Sequence, residues 1–266
     1  RPMTAVLLLL SCVKTPSPPA PTEPPVAVAP APAVDDAPER ATGCRADVAG
    51  VRGTAGMVAS AHPEASRIGA DVLRDGGSAV DAAVAMAVAL TLVEPQSSGL
   101  GGGAFLLHYD GADQTLEAWD GRETAPRTAT PELFHDATGP RPCPEVVPGG
   151  LSVGTPGLVR LLEAVHAEHG ELDWARLLTP TADLADAGFT VTPRMSRSIA
   201  MIEGTPMRSL SRDEAAAAYF LPGGEPLPAG HLLTNPALAT TVRDIASDGA
   251  DAFYTGPIAE AIVASV

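Results

Sequence analysis

The chain has 266 residues, enough for one large domain or two small ones. Its 17 Lys and Arg against 32 Asp and Glu give a net charge of −15, with no basic run, which argues against a nucleic-acid partner because such surfaces need clustered cations. Hydrophobic residues make up 45% but aromatics only 4%, so the core must be built from small side chains at close backbone distance.

Met3–Cys12, MTAVLLLLSC, is an apolar run too short to span a bilayer as a helix. It reads as the hydrophobic part of an export signal. Leu9-Leu10-Ser11-Cys12 resembles a bacterial lipobox, in which Cys12 would carry the lipid. An apolar tail of an incomplete start is the alternative, since only Arg1 supplies a positive end. Lys14–Arg40 is dense in Pro and Ala, and Pro lacks the amide donor that helices and sheets need. The expected organisation is a signal segment over 1–12, an unstructured tether over 13–48 and a folded part over 49–266. The protein is then exported, periplasmic or held at a bacterial membrane by a lipid anchor alone. In an oxidising compartment Cys44 and Cys143 could form one disulfide, or stand as unrelated thiols.

Gly56–His62 has the small residues of a buried strand. The spacing of Ile68, Val72 and Leu73 predicts a helix stopped by Gly76-Gly77. Ser78-Ala-Val-Asp81 is a capping-box pattern, with Asp in place of Glu. It opens an Ala-rich helix, apolar nearly all round and therefore buried, closed by Glu94-Pro95. Two strand-like runs follow, AFLLHYD and TLEAWDGRE, with Asp110-Gly111 as a hairpin signal between them. Thr155-Pro156, Thr192-Pro193 and Asn235-Pro236 each predict an N-cap before a Pro at the first helical position. A helix ending at Gly188 should be kinked or split at Pro180, and a last helix covers Gly256–Val266. The sum is α+β, with a helical array in the second half.

Gly99, Gly101, Gly102 and Gly103 stand just before the first strand of the hairpin. Gly99 to Ala104 fits the loose dinucleotide pattern G-x-G-x-x-A. That site needs a strand before the glycines and a helix after them, so that pyrophosphate meets a helix N-terminus. The order here is reversed, and a nucleotide loop is rejected. The glycines read instead as a bend that lets the Ala-rich helix sit close to the sheet.

The run Gly56–Leu90, then EPQSSGLGGGAFLLHYD, DGRETAP (Asp120–Pro126) and GTPG (Gly154–Gly157) together resemble the γ-glutamyltranspeptidase family in order and spacing, over about Gly53 to Val266. The resemblance implies an N-terminal-nucleophile hydrolase with an αββα sandwich, made as a precursor that cuts itself into a large and a small subunit. The N-terminal Thr of the small subunit would be the nucleophile, its own α-amine the base. The resemblance places that Thr well beyond Val266, which makes this chain the first part of a large subunit; opening on Arg1 and stopping inside an expected helix, it reads as truncated at both ends. No catalytic residue is expected in it, and the small subunit would be its partner after autoproteolysis. The implied substrates are glutathione or another γ-glutamyl compound, with water, an amino acid or a dipeptide as acceptor. No cofactor or metal is implied.

Within DGRETAP the resemblance makes Arg122 the residue that binds the α-carboxylate of the γ-glutamyl group, a task its planar fork suits. Without the resemblance, a surface ion pair with Asp120 or Glu123 would be the plainer reading. Many family members carry an aromatic where Gly121 stands, which leaves substrate preference open. His166 and His169 lie three apart on a helix and could share a metal, but no third ligand is apparent and a solvated face is expected. Glu163 and Glu168 read as ordinary helix-face charges. Two other functions remain open: a related acylase of the cephalosporin-acylase kind, or an inactive lipid-anchored binding protein on the same scaffold.

Overall fold

Helices α1 (Pro63–Arg74) and α2 (Ala79–Val93) pack against each other in a computed structural model that describes residues 5–9, 52–147, 149–205 and 210–266. Pro63 takes the first position of α1, where its fixed φ is already helical. The cap before it is one the sequence does not announce: His62 Nδ1 accepts the Glu64 amide at 3.2 Å. That bond needs an unprotonated Nδ1, and burial pushes the imidazole below its ordinary pKa. The two helices approach closely at Gly69, where a Cβ would stand 2.6 Å from Met86 Cγ.

The capping box at α2 forms as expected. Ser78 Oγ accepts the Asp81 amide at 3.0 Å, and Asp81 Oδ2 accepts the Ser78 amide at 2.7 Å. From Val80 to Val93 every residue but Met86 is buried. Asp81 also reaches beyond its own helix. The same Oδ2 accepts the Glu171 and Leu172 amides at 3.0 and 3.2 Å, in the loop between α4 (Leu158–His169) and α5 (Trp174–Ala187). α2 packs mostly against the helices α1, α5 and α4, and also touches the strand Ala5–Leu9.

α2 ends at Glu94, whose side chain is 2% exposed. Its carboxyl receives Gln96 Nε2 at 2.6 Å and Arg194 Nε at 3.1 Å, the latter from α6 (Pro193–Glu203). Burial raises the Glu94 pKa and the arginine pulls it back down, with burial the larger effect. A carboxyl raised in the folded state is best tolerated when protonated, so its contribution to stability falls as pH rises through its folded pKa. Arg194→Met should therefore cost about 2 kcal/mol at neutral pH, less than for a fully buried pair because Arg194 is half-exposed. The cost should shrink towards zero below the ordinary Glu pKa of 4.5, where Glu94 is protonated. Urea midpoints of wild type and variant at two pH values check this, and a pH-independent difference would contradict it.

β2 (Ala104–Asp110) and β3 (Thr115–Gly121) form the expected antiparallel hairpin, with Ala104 opposite Gly121 and His108 opposite Glu117. Asp110 Oδ1 accepts the Ala112 amide at 2.7 Å and starts the turn. β1 (Ala5–Leu9) pairs antiparallel with β2, giving the order β1-β2-β3. Ala5–Leu9, inside the apolar run read as part of an export signal, supplies this strand. Cys12, the tether 13–48 and Cys44 lie outside the described residues. Alternation turns Ala104, Leu106 and His108 inward, while Phe105, Tyr109 and Leu116 stay exposed on the other face. Gly56–His62 is not a strand. No described residue pairs with it, and Met57 is exposed.

Beyond the hairpin, β4 (His135–Asp136) pairs with β5 (Gly139–Pro140), and α3 (Cys143–Val146) follows. β6 (Phe189–Thr190) pairs with β7 (Leu232–Leu233). The helical array is completed by α7 (Glu214–Phe220), α8 (Pro236–Asp248), α9 (Asp251–Tyr254) and α10 (Gly256–Ser265). Two of the three predicted N-caps form: Thr192 accepts the Met195 amide at 3.1 Å, and Asn235 the Leu238 amide at 2.9 Å. α5 runs through Pro180 unsplit to Gly188, whose φ of 89° is one that side chains rarely adopt. It packs on α8, and Trp174 Nε1 donates to Ile245 O at 2.9 Å.

Candidate functional site

Three glycine-bearing segments converge at the end of β3. Gly102 O accepts the Gly157 and Leu158 amides, both at 3.0 Å, so the glycine loop receives the start of α4. Thr124 and Thr155 exchange backbone bonds of 3.2 and 2.8 Å. This bridge corrects the third predicted cap: Thr155 is held in the bridge, α4 starts at Leu158, and no side chain caps it. A Cβ on Gly103 would lie 2.5 Å from Gly121 O and 2.8 Å from Arg122 Cα. One on Gly157 would lie 2.2 Å from Gly121 O. None of Gly99 to Gly103 has a positive φ. Gly103 and Gly157 serve close approach, whereas a Cβ on Gly99 or Gly101 would meet nothing within 4 Å; Gly103 lies against the end of β3, and Gly157 brings the start of α4 there, where the sequence suggested α2.

Arg122 is the first residue after β3, at the centre of this convergence. Its amide donates to Asp120 Oδ1 at 2.9 Å, which turns the chain away from the ladder. Its side chain is 42% exposed, and Nη2 lies 3.3 Å from Glu123 Oε2. Among the described residues the guanidinium makes this ion pair but no hydrogen bond. The fork is therefore anchored at its root and free to donate at its tip. Asp120 serves the backbone alone, so of the two ion-pair partners weighed from sequence only Glu123 is engaged. Gly121 is buried, and a Cβ there would lie 2.5 Å from Leu161 Cβ on α4. A larger residue at this position would have to displace Leu161 or α4.

The two histidines of α4 do not share a site, and neither lies on a solvated face. His166 Nε2 lies 2.8 Å from Leu172 O and 3.6 Å from Asp81 Oδ1. His169 Nε2 lies 2.7 Å from Glu117 Oε2. His108 Nδ1 lies 3.3 Å from the same oxygen, and the His108 and His169 rings are neighbours with centres 4.0 Å apart. The two imidazoles, that of His108 foremost, hold the Glu117 carboxyl below its ordinary pKa. The pattern HYDGADQTLE did contain one signal for this: a histidine at an inward-facing position of an alternating strand. Glu163 also does more than face solvent. It accepts the Ala250 amide at 2.6 Å and pairs with Arg160 at 2.6 Å. Glu168 is exposed, as expected. Cys143 is exposed and unpaired among the described residues.

The family model for gamma-glutamyltranspeptidase matches residues 65–266. The glutathione hydrolase proenzyme of Bacillus subtilis (strain 168) is 43% identical over 211 residues, covering 79% of this chain and 35% of that protein. The crystal structure of Helicobacter pylori gamma-glutamyltranspeptidase superposes with a TM-score of 0.74 at 33% identity, over 80% of this chain and 60% of that one. The cephalosporin acylase of Bacillus halodurans follows at 0.66 and 30%, over 76% of this chain and 37% of that one. The chain belongs to the γ-glutamyltranspeptidase family, and its fold is the α+β fold of these hydrolases. It spans about a third of the length of the curated relatives that it matches.

Proposed function

We propose that the chain is the N-terminal part of the large subunit of a glutathione hydrolase that is also a γ-glutamyltransferase. The observation that carries this is Arg122: a guanidinium rooted beside a glycine-cleared strand end, with its fork open to solvent. Such a fork takes a carboxylate through two parallel N–H···O bonds. With the α-carboxylate of a γ-glutamyl group held there, the scissile γ-amide is placed by its own tether. A Thr hydroxyl from the small subunit would attack the γ-carbonyl and lose its proton to the Thr α-amine. The amine leaving group, cysteinylglycine from glutathione, would depart with a proton. Water or an amino-acid amine would then take the glutamyl group from the ester. Processing from a proenzyme, export and lipid attachment at Cys12 belong to the same proposal. Disulfide formation between Cys44 and Cys143 depends on that export.

The exposed apolar side chains of the sheet, Phe105, Tyr109 and Leu116, fit the same reading. They would meet the second sheet of an αββα sandwich supplied by the remainder of the enzyme. The full-length protein should split into two chains and release p-nitroaniline from γ-glutamyl-p-nitroanilide. Cleavage of a cephalosporin side-chain amide in its place would move the assignment to a related acylase. Binding of γ-glutamyl compounds with neither processing nor turnover would leave a binding protein.

A further inference from the structure

A second polar cluster lies at the opposite end of the hairpin from the glycine loop. His108 of β2, Glu117 of β3 and His169, the last residue of α4, bring three ligating atoms within 4.8 Å of one another. From these residues we propose a site for one divalent transition-metal ion of the Zn2+ class, independent of the γ-glutamyl site. Two imidazoles and a carboxylate are donors that favour such an ion over Mg2+ or Ca2+, which take oxygen ligands.

The spacing is close to what a tetrahedral ion requires. Bond lengths of about 2.1 Å at a tetrahedral angle separate two ligand atoms by roughly 3.4 Å. His108 Nδ1 and Glu117 Oε2 are already 3.3 Å apart. His169 Nε2 and Glu117 Oε2, now hydrogen-bonded at 2.7 Å, would open by well under 1 Å. That is a small rotation of a glutamate that is half-exposed. His108, by contrast, is buried and fixed in the ladder opposite Glu117.

Local electrostatics suit a cation. His169 closes α4, so the ion would sit near the negative end of that helix dipole. Trp119, on the same face of β3 as Glu117, stands edge-on to His169, with 6.3 Å between ring centres. The ion would join hairpin and helix, clamping the far end of the strand that carries Arg122.

The test uses the full-length protein without a histidine tag, freed of metal with a chelator. Titration with Zn2+ against a competing chromophoric chelator should show one tight site per chain, with a rise in Tm. Co2+ should give the visible bands of a tetrahedral site with nitrogen ligands. His108→Gln, Glu117→Gln and His169→Gln should each weaken Zn2+ by more than ~100-fold, beyond what loss of an outer-shell partner costs. His166→Gln should leave the affinity unchanged. Circular dichroism of each variant establishes that it is folded. Should the unfolded fraction of a variant be large, Co2+ spectra of the wild-type protein decide alone. Absence of saturable Zn2+ binding, or binding that survives all three substitutions, overturns the site. Since the readout is metal occupancy, it stands or falls separately from γ-glutamyl turnover.

Discussion

Arg122→Ala in the full-length enzyme is expected to raise KM for γ-glutamyl-p-nitroanilide by about 100-fold or more. Each hydrogen bond to a charged partner contributes roughly 1.5–3 kcal/mol, and a carboxylate held by two of them loses both. At 1.4 kcal/mol per tenfold change, the lower estimate already gives two orders of magnitude. The kcat should fall less, because the α-carboxylate is bound in both ground state and transition state. Arg122→Lys keeps the charge but loses the fork, so it should recover only part of the loss. The fold should not suffer, since the side chain contributes one exposed ion pair, to Glu123. An unchanged KM would remove Arg122 from the site and leave the ion pair as its whole role.

The largest effect on stability is expected at Asp81. Its Oδ2 accepts three backbone amides, from Ser78, Glu171 and Leu172, and its side chain is fully buried. Asp81→Ala would remove the acceptor from all three at once. An unsatisfied buried donor costs about 1–3 kcal/mol, and water reaching the exposed Glu171 lessens the total. A loss of about 3–4 kcal/mol is expected, a large part of the 5–15 kcal/mol typical of a domain. Asp81→Asn keeps a carbonyl oxygen in place and should lose about half as much. Urea unfolding should show a lower midpoint for both, in that order, at unchanged slope. A loss below about 1 kcal/mol for the alanine variant would mean that the junction of α2 with the α4–α5 loop is held elsewhere.

Asp81 also marks how far local sequence carries. The capping box with Ser78 is readable because both partners lie within one helical turn. The amides of Glu171 and Leu172, some ninety residues on, are not. Arg122 is proposed from a motif whose segments agree in order, while the role the sequence suggests for the neighbouring glycines differs from the one seen. Gly103 and Gly157 clear the backbone of Gly121 and Arg122, a contact between parts of the chain far apart in sequence. Thr155 shows the reverse error. A Thr-Pro pair is a sound local signal for a cap, and a bridge to Thr124 overrode it.

By itself the sequence determined the elements whose causes are local: the helices begun by Ser78, Thr192 and Asn235, the β2–β3 hairpin, and the buried character of α2. Propensity, capping and periodicity act within a few residues and leave their mark there. Only the tertiary structure decided that His169 leaves His166 to meet His108 and Glu117, and that Gly56–His62 stays outside any ladder. Three ligating atoms from two strands and a helix end come within reach of one another only once α4 is packed against the hairpin. The spacing of two histidines along one helix carries no trace of that packing.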